Sequence, residues 1–142
     1  MSKIAVKEVG KPIWFNNSDK NYRTDSSKEY IGKRSTVQFI SLNNNRTLFI
    51  GVDEDGLLKE LPVNFLLPTP NPYFPIQKIV GTAVFVKTKP LDEYFGEIED
   101  FEIEDLTDED IEIIKQLLSD EVQKTLELQF CDCKRTMVIH KW

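Results

Sequence analysis

One acidic segment constrains the fold of this 142-residue chain more than any other feature. Residues 92–112 contain 12 Asp or Glu residues and no Lys or Arg. Charges of one sign repel each other within a Debye length of about 8 Å, so a folded chain keeps them solvated or pairs them with cations. The sequence has no basic residue between Lys89 and Lys115. We therefore expect this segment to lie at the surface.

The two parts of the chain differ in charge, and this limits the classes of partner. Residues 1–89 hold 13 Lys or Arg and 8 Asp or Glu, a balance of +5, whereas residues 90–142 hold 5 and 16, a balance of −11. An acidic surface argues against direct binding to nucleic acid, whose phosphates need clustered Lys and Arg. It suits a protein partner with a basic surface, including one that normally holds DNA or RNA. The alternative is an acidic surface that only keeps the protein in solution.

The composition predicts one folded domain, residues 1–142, in the cytoplasm. Hydrophobic residues make up 40% of the chain, which is enough for a core, and the length fits a single domain. No stretch approaches the roughly 20 consecutive apolar residues of a membrane helix. The first residues lack the apolar region of a signal peptide, and two cysteines do not make a disulfide framework.

Hydrophobic patterning predicts an α+β fold with a mostly antiparallel β-sheet. We predict a first strand at residues 3–9, a hairpin from 35–42 and 47–52 around an Asn-rich turn, and a central strand at 76–87. Asp53 to Gly56 predicts a tight turn, and Pro62 favours a helical turn after it. One main helix is predicted in the C-terminal half, from 108 to about 119 with a possible continuation to 124, because Thr107 is a good N-cap and acidic residues follow it.

Two further segments have distinct expectations. Four prolines within eight residues predict an extended surface loop with Tyr73 and Phe74 at its tip; they are Pro68, Pro70, Pro72 and Pro75. These rings either bind a partner or fold back onto the core. Near the C-terminus, Leu126, Leu128 and Phe130 alternate with polar residues, which predicts a closing hairpin around residues 132–135.

The residues that usually perform catalysis are sparse. His140 is the single histidine, and Cys131 and Cys133 are spaced as C-x-C. A structural zinc site needs four ligands, usually from two such pairs, so we interpret these as ordinary thiols. None of the common nucleotide-binding, metalloprotease or serine-hydrolase motifs is present. We expect no enzyme activity, no cofactor and no metal.

The order of features from Thr36 to about Leu118 resembles a domain-of-unknown-function family. That family occurs in small proteins of phages and conjugative elements, mainly in Gram-positive bacteria. The resemblance rests on the hairpin ending in Asp53-Glu54-Asp55-Gly56, then Leu61-Pro62-Val63-Asn64, Ile79-Val80-Gly81-Thr82-Ala83-Val84-Phe85-Val86, Phe95-Gly96, and a late helix opening at Thr107. The chain departs from the family at Phe65, where a basic residue is typical, and in its longer Pro-rich insertion. The shared motifs are typical of fold determinants, and no catalytic residue transfers from them.

The resemblance implies a mobile-element origin, and small acidic proteins of such elements often block host defences. Together with the charge asymmetry it predicts a non-enzymatic inhibitor of a host CRISPR or restriction nuclease, acting through a nucleic-acid-mimicking face. One alternative is an accessory protein for element replication or transfer, and another is a carboxylate- and metal-dependent enzyme. The predicted acidic face consists of Asp92, Glu93, Glu97, Glu99, Asp100, Glu102, Glu104, Asp105, Asp108 and Glu109. Tyr73 and Phe74 form a second candidate binding element. No direct contact with nucleic acid or a membrane is expected.

Overall fold

Two antiparallel sheets and three helices make up the part of the chain that the structure describes. The computed structural model describes residues 2–18, 28–32, 35–42, 47–68, 75–88 and 103–139. The strands are β1 (Ser2–Lys7), β2 (Trp14–Ser18), β3 (Val37–Ser41), β4 (Leu48–Asp53), β5 (Val63–Pro68), β6 (Ile76–Val80) and β7 (Ala83–Lys87), and the helices are α1 (Lys28–Ile31), α2 (Asp108–Leu117) and α3 (Asp120–Ile139). Five strands form a sheet in the order β2-β1-β7-β4-β3, and β5 pairs with β6. The predicted α+β class with antiparallel sheets is confirmed.

Local sequence signals placed several elements correctly. The first strand is β1, and the predicted hairpin is the antiparallel pair of β3 and β4, in which Ile40 lies opposite Ile50. The turn after β4 is also as predicted, since the Gly56 N–H donates to the Asp53 carbonyl over 3.1 Å. The Asn-rich turn of the hairpin and the tip of the Pro-rich loop lie outside the described residues.

The predicted central strand at 76–87 is two strands. Gly81 has a φ of +72°, which turns the chain between β6 and β7. Only β7 is central: it lies between β1 and β4 in the five-stranded sheet, whereas β6 joins the smaller one. The helical turn predicted after Pro62 was also wrong, because residues 63–68 form β5. This segment forms a strand because alternate side chains can then be buried on opposite sides: Phe65 and Leu67 face one side, and Leu66 faces the other.

The predicted closing hairpin was wrong, because the same residues form the helix α3. Leu126 is buried while Leu128 is 69% exposed, so alternate residues do not share a face. Val122, Leu126 and Phe130 instead follow each other at four-residue spacing and pack together. The helix predicted from 108 to about 119 is confirmed as α2, which ends at Leu117. Its continuation to 124 was wrong, since α3 begins as a separate helix at Asp120.

The five-stranded sheet is covered by apolar residues on both faces. On one face the inner side of the small sheet and α2 complete a cluster that contains Ala5, Leu48, Ile50, Phe65, Leu67, Ile79, Phe85, Leu106 and Ile114. The rings of Phe65 and Phe85 stack there at 6.1 Å between centroids. On the opposite face the cluster contains Ile4, Val6, Phe49, Val84, Val86 and Ile103, with Tyr30 and Ile31 of α1 packed against it. Burying each Val, Leu, Ile or Phe side chain of these clusters contributes roughly 1.5–3 kcal/mol.

Gln123 fixes α3 against the outer edge of β5. Its Oε1 accepts a hydrogen bond from the Leu66 N–H at 2.9 Å, and its Nε2 donates to the Leu66 carbonyl at 3.1 Å. The same Nε2 donates to the carbonyl of Leu117, the last residue of α2, at 2.8 Å. The Gln123 side chain thus supplies the hydrogen bonds that a neighbouring strand would give to β5. It also gives a donor to a backbone carbonyl at the end of α2.

We expect Gln123→Ala to lower the free energy of unfolding by about 1–3 kcal/mol, because the polar backbone groups of buried Leu66 lose their partners. Urea-induced unfolding measures the change. Gln129→Ala is the matched control, since Gln129 lies exposed on the same helix, and it should change stability by less than about 0.5 kcal/mol. Equal effects of the two substitutions would contradict the role of Gln123.

Candidate partner-binding surface

The structure describes four of the ten acidic residues predicted to bind a partner. Glu104, Asp105, Asp108 and Glu109 lie in the described part, where Glu104 is half-buried and the other three are exposed. The remaining six lie outside the described residues, and they are Asp92, Glu93, Glu97, Glu99, Asp100 and Glu102. Tyr73 and Phe74 also lie outside them. For all twelve residues the binding role stays a prediction.

The segment before α2 is fixed to the end of the five-stranded sheet. The Glu104 N–H donates to the Lys87 carbonyl over 2.8 Å, which makes an antiparallel bridge to β7. Ile103 is buried in the cluster on one face of the sheet, and Leu106 in the cluster on the other face. Asp105 lies between these two anchors and is exposed. The backbone position of Asp105 is therefore set by buried neighbours on both sides.

Thr107 begins α2 as predicted, with a complete capping box. The Thr107 Oγ1 accepts from the Asp110 N–H at 3.2 Å, and an Asp110 carboxylate oxygen accepts from the Thr107 N–H at 2.9 Å. These reciprocal bonds satisfy backbone donors that a helix start leaves unpaired. Asp108 and Glu109 occupy the first turn and point to solvent. Carboxylates in this position interact favourably with the helix dipole, typically by about 0.3–1 kcal/mol each.

Asp110 is the one buried carboxylate of this helix start, and it pairs with Lys87. The Lys87 Nζ lies 2.8 Å from Asp110 Oδ2, with the side chains 20% and 7% exposed. The sequence placed Asp110 among the capping acids but gave no sign of this partner, which is 23 residues away. Asp110 is therefore a structural residue, and its charge is neutralised inside the protein.

The surroundings of Asp110 lower its pKa. Burial alone would raise the pKa of this carboxyl group, but hydrogen bonds from Lys87 and Thr107 outweigh burial and hold the pKa below its ordinary value. The folded state thus favours the ionised form. The pair holds the first turn of α2 against the end of β7.

The carboxylates around the start of α2 are of two kinds, one buried and paired and the others exposed. Asp110 takes up the cation Lys87, while Asp105, Asp108 and Glu109 face solvent, as does Glu112 one turn later. Asp108 and Glu109 precede Glu112 by four and three residues, so each of them neighbours Glu112 on the helix surface. Ile113 is 46% exposed next to them. We call Asp105, Asp108, Glu109 and Glu112 the α2 acidic face.

Asn64, from the motifs that carry the family resemblance, connects three elements. Its Nδ2 donates to the carbonyls of Lys7 and Gly81, at 2.7 and 2.8 Å, and its Oδ1 accepts from the Lys7 Nζ at 3.0 Å. The Gly81 N–H donates to the Pro62 carbonyl at 2.9 Å. These bonds join β5, the end of β1 and the turn before β7.

Close packing also explains the glycine and the phenylalanine of these motifs. A Cβ on Gly81 would lie 2.8 Å from Leu61 Cδ1, so the turn leaves little room for a side chain. Phe65 is only 4% exposed, and its ring stacks on Phe85. That position therefore belongs to the core in this protein.

Comparison of the chain with protein-family models, curated proteins and solved structures finds no match in any of the three. Within the described part, no group of three or more His, Cys, Asp and Glu residues is placed to hold a metal ion. None of the described helices is long and apolar enough to cross a membrane. The side chains of Cys131, Cys133 and His140 lie outside the described residues.

We expect Asp110→Asn to destabilise the protein by about 1–3 kcal/mol at neutral pH, because Lys87 loses its charged partner. A folded-state pKa below the unfolded value of about 3.9 gives stability above that value, which disappears as the pH falls through the folded pKa. The difference in unfolding free energy between the wild type and the variant should therefore be largest above about pH 5 and shrink in more acidic solution.

Denaturant unfolding between pH 3 and pH 7 measures this difference. Asp108→Asn is the control, since this exposed first-turn carboxylate should contribute only about 0.3–1 kcal/mol. A difference for Asp110→Asn that stays constant across the range would contradict the ionised pair.

We expect Asn64→Asp to destabilise the protein by about 1–3 kcal/mol, although it adds a negative charge beside Lys7. The substitution replaces the Nδ2 donor by an oxygen that faces two carbonyl oxygens. Thermal and urea unfolding measure the change, with Gln77→Glu on the exposed side of β6 as the control. A more stable Asn64→Asp protein would show that attraction to Lys7 outweighs the two carbonyl bonds.

Proposed function

We propose that this protein is a non-enzymatic, mobile-element-encoded inhibitor of a host nucleic-acid-handling defence enzyme, of the anti-CRISPR or anti-restriction type. Its α2 acidic face would bind the basic groove that normally holds DNA or RNA. The observation that supports this most is the division of charge at the α2 start. The nearby cation Lys87 is paired inward with Asp110, and the exposed carboxylates form no ion pair with a described lysine or arginine.

The spacing of the exposed carboxylates is compatible with imitation of a phosphate backbone. Asp108 and Glu112 are four residues apart on a helix, which separates them by about 6 Å along its axis. Phosphates follow each other at about 3.4 Å along the axis per DNA strand and are further apart through space, because the strand winds around that axis, so the spacing is compatible with neighbouring phosphates. A capped helix start fixed to the sheet holds such charges in place, which lowers the entropy cost of binding.

Ile113 adds an apolar contact to this face. Charged residues at an interface mainly set the rate and specificity of association, whereas a desolvated apolar side chain adds affinity. Ile113 follows Glu109 by four residues and therefore neighbours it on the helix surface. Its 46% exposure leaves apolar area that a partner can bury.

The test begins with affinity capture from a Gram-positive lysate that contains CRISPR and restriction nucleases, after nuclease treatment to remove bridging DNA. The captured enzyme is then purified, and its cleavage of DNA is measured with and without this protein. We expect inhibition that weakens as salt rises, because the contact is electrostatic. Recovery of replication or transfer proteins alone, with binding lost on Tyr73→Ala and Phe74→Ala, would overturn the proposal in favour of the accessory function.

We expect the double variant Asp105→Lys and Glu109→Lys to lose most inhibition, by at least about tenfold in affinity. The matched control is Glu54→Lys with Glu121→Lys, since both are exposed carboxylates away from the α2 acidic face, and it should retain inhibition. Circular dichroism and urea unfolding confirm that both proteins remain folded. Full inhibition by the first variant would overturn the proposed role of the α2 acidic face.

A further inference from the structure

A cavity of about 600 Å³ lies between the outer face of the small sheet and α3, away from the α2 acidic face. Its volume is within the range of about 300–1,000 Å³ that small-molecule sites occupy. The charged residues that line it are Lys7, Lys78, Asp120 and Glu127. Both lysines belong to strands, and both carboxylates belong to the helix. The cavity therefore has a cationic wall and an anionic wall.

The two lysines of the cationic wall contact neutral groups. The Lys7 Nζ donates to Asn64 Oδ1 at 3.0 Å and to the Glu8 carbonyl at 2.8 Å, and burial lowers the pKa of this ammonium group. The Lys78 Nζ lies 5.0 Å from the centre of the Phe130 ring. The ion pairs between described residues involve Lys11, Lys59 and Lys87 and include neither of these two lysines.

The anionic wall is held at a fixed separation from the strands. Asp120 and Glu127 are seven residues apart, two turns along one side of α3. Gln123 lies between them on that side, and its bonds to Leu66 set the distance between helix and strand. In the described part neither carboxylate is within 4 Å of a lysine or arginine nitrogen. The two walls therefore carry opposite charges that do not pair with each other.

The base of the cavity is apolar. Leu66 of β5 lines it together with Leu118 and the ring of Phe130. Leu66 is only 7% exposed. A molecule that fills this space therefore needs an apolar body as well as charged groups of both signs.

We propose that this cavity binds a small zwitterion with an apolar body, namely a free amino acid or a short peptide. Its carboxylate would face the cationic wall, and its ammonium group would face the anionic wall. Charges of both signs beside an apolar base are complementary to a molecule with both charges, because each ligand charge gains a partner as water leaves. The proposal does not depend on the inhibitor function, because it concerns a different surface.

The test uses three probes with the same aromatic body. L-phenylalanine has both charges, phenethylamine has only the ammonium group, and 3-phenylpropionate has only the carboxylate. Titrations followed by backbone amide chemical shifts report affinity and location together. We expect L-phenylalanine to bind about tenfold more tightly than either single-charge probe, with shifts at Leu66 and Gln123. Equal affinity of the three probes, or the absence of shifts at these residues, would overturn the proposal.

Two variants assign the charges to the walls. Lys78→Met should weaken L-phenylalanine and 3-phenylpropionate about tenfold and leave phenethylamine unchanged, whereas Asp120→Asn should weaken L-phenylalanine and phenethylamine only. Lys78 is preferred to Lys7 for this test because it takes no part in the Asn64 hydrogen bonds. Lys11→Met and Asp108→Asn are the matched controls, and neither should alter binding. Weaker binding of phenethylamine to Lys78→Met, or of 3-phenylpropionate to Asp120→Asn, would overturn the assignment.

Discussion

The central strand β7 has to be covered on both faces, and the rest of the structure follows from this requirement. Ala83, Val84, Phe85 and Val86 are completely buried, so consecutive side chains enter cores on opposite sides of the sheet. The small sheet and α2 cover one side, whereas α1 and Ile103 cover the other. A strand that is apolar on both faces cannot stay at an edge, and β1 and β4 accordingly supply its hydrogen-bonding neighbours.

Polar contacts fix the chain at both ends of this strand. Before β7, Asn64 bonds to the carbonyls of Gly81 and Lys7. After the buried residues, Lys87 pairs with Asp110 and thereby places the first turn of α2. Buried hydrogen bonds of this kind add modest net stability but cost much when one partner is removed. They therefore select one arrangement of the helices and sheets from the many that hydrophobic burial alone would allow.

Features that depend on neighbouring residues were predictable, and contacts between distant residues were not. The cap at Thr107 and the hairpin of β3 and β4 follow from local chemistry. The apolar residues from Leu126 to Phe130 fit the two-residue period of a strand as well as the four-residue spacing of a helix. The helix forms because it packs on Leu66 and Ile76, which no local pattern shows. Lys87 lies 23 residues from Asp110, whereas Lys7 and Leu66 lie 57 residues from their partners Asn64 and Gln123, so no local pattern marks these contacts. Four carboxylates of the predicted face lie in the described part, and the sequence could not show that Asp110 would turn inward.

The strand order has a consequence for how the chain folds during synthesis. β1 with β2 and β3 with β4 form two antiparallel pairs that are local in sequence, and β7 lies between them although it comes last. The ribosome releases both pairs before the strand that joins them, so each pair waits with an unsatisfied edge. Sheets closed by such distant pairing fold slowly, because the entropy of a long loop is lost before the contacts form. Completion of the sheet therefore requires residue 87 to leave the ribosome, and the nascent chain is most open to aggregation just before that point.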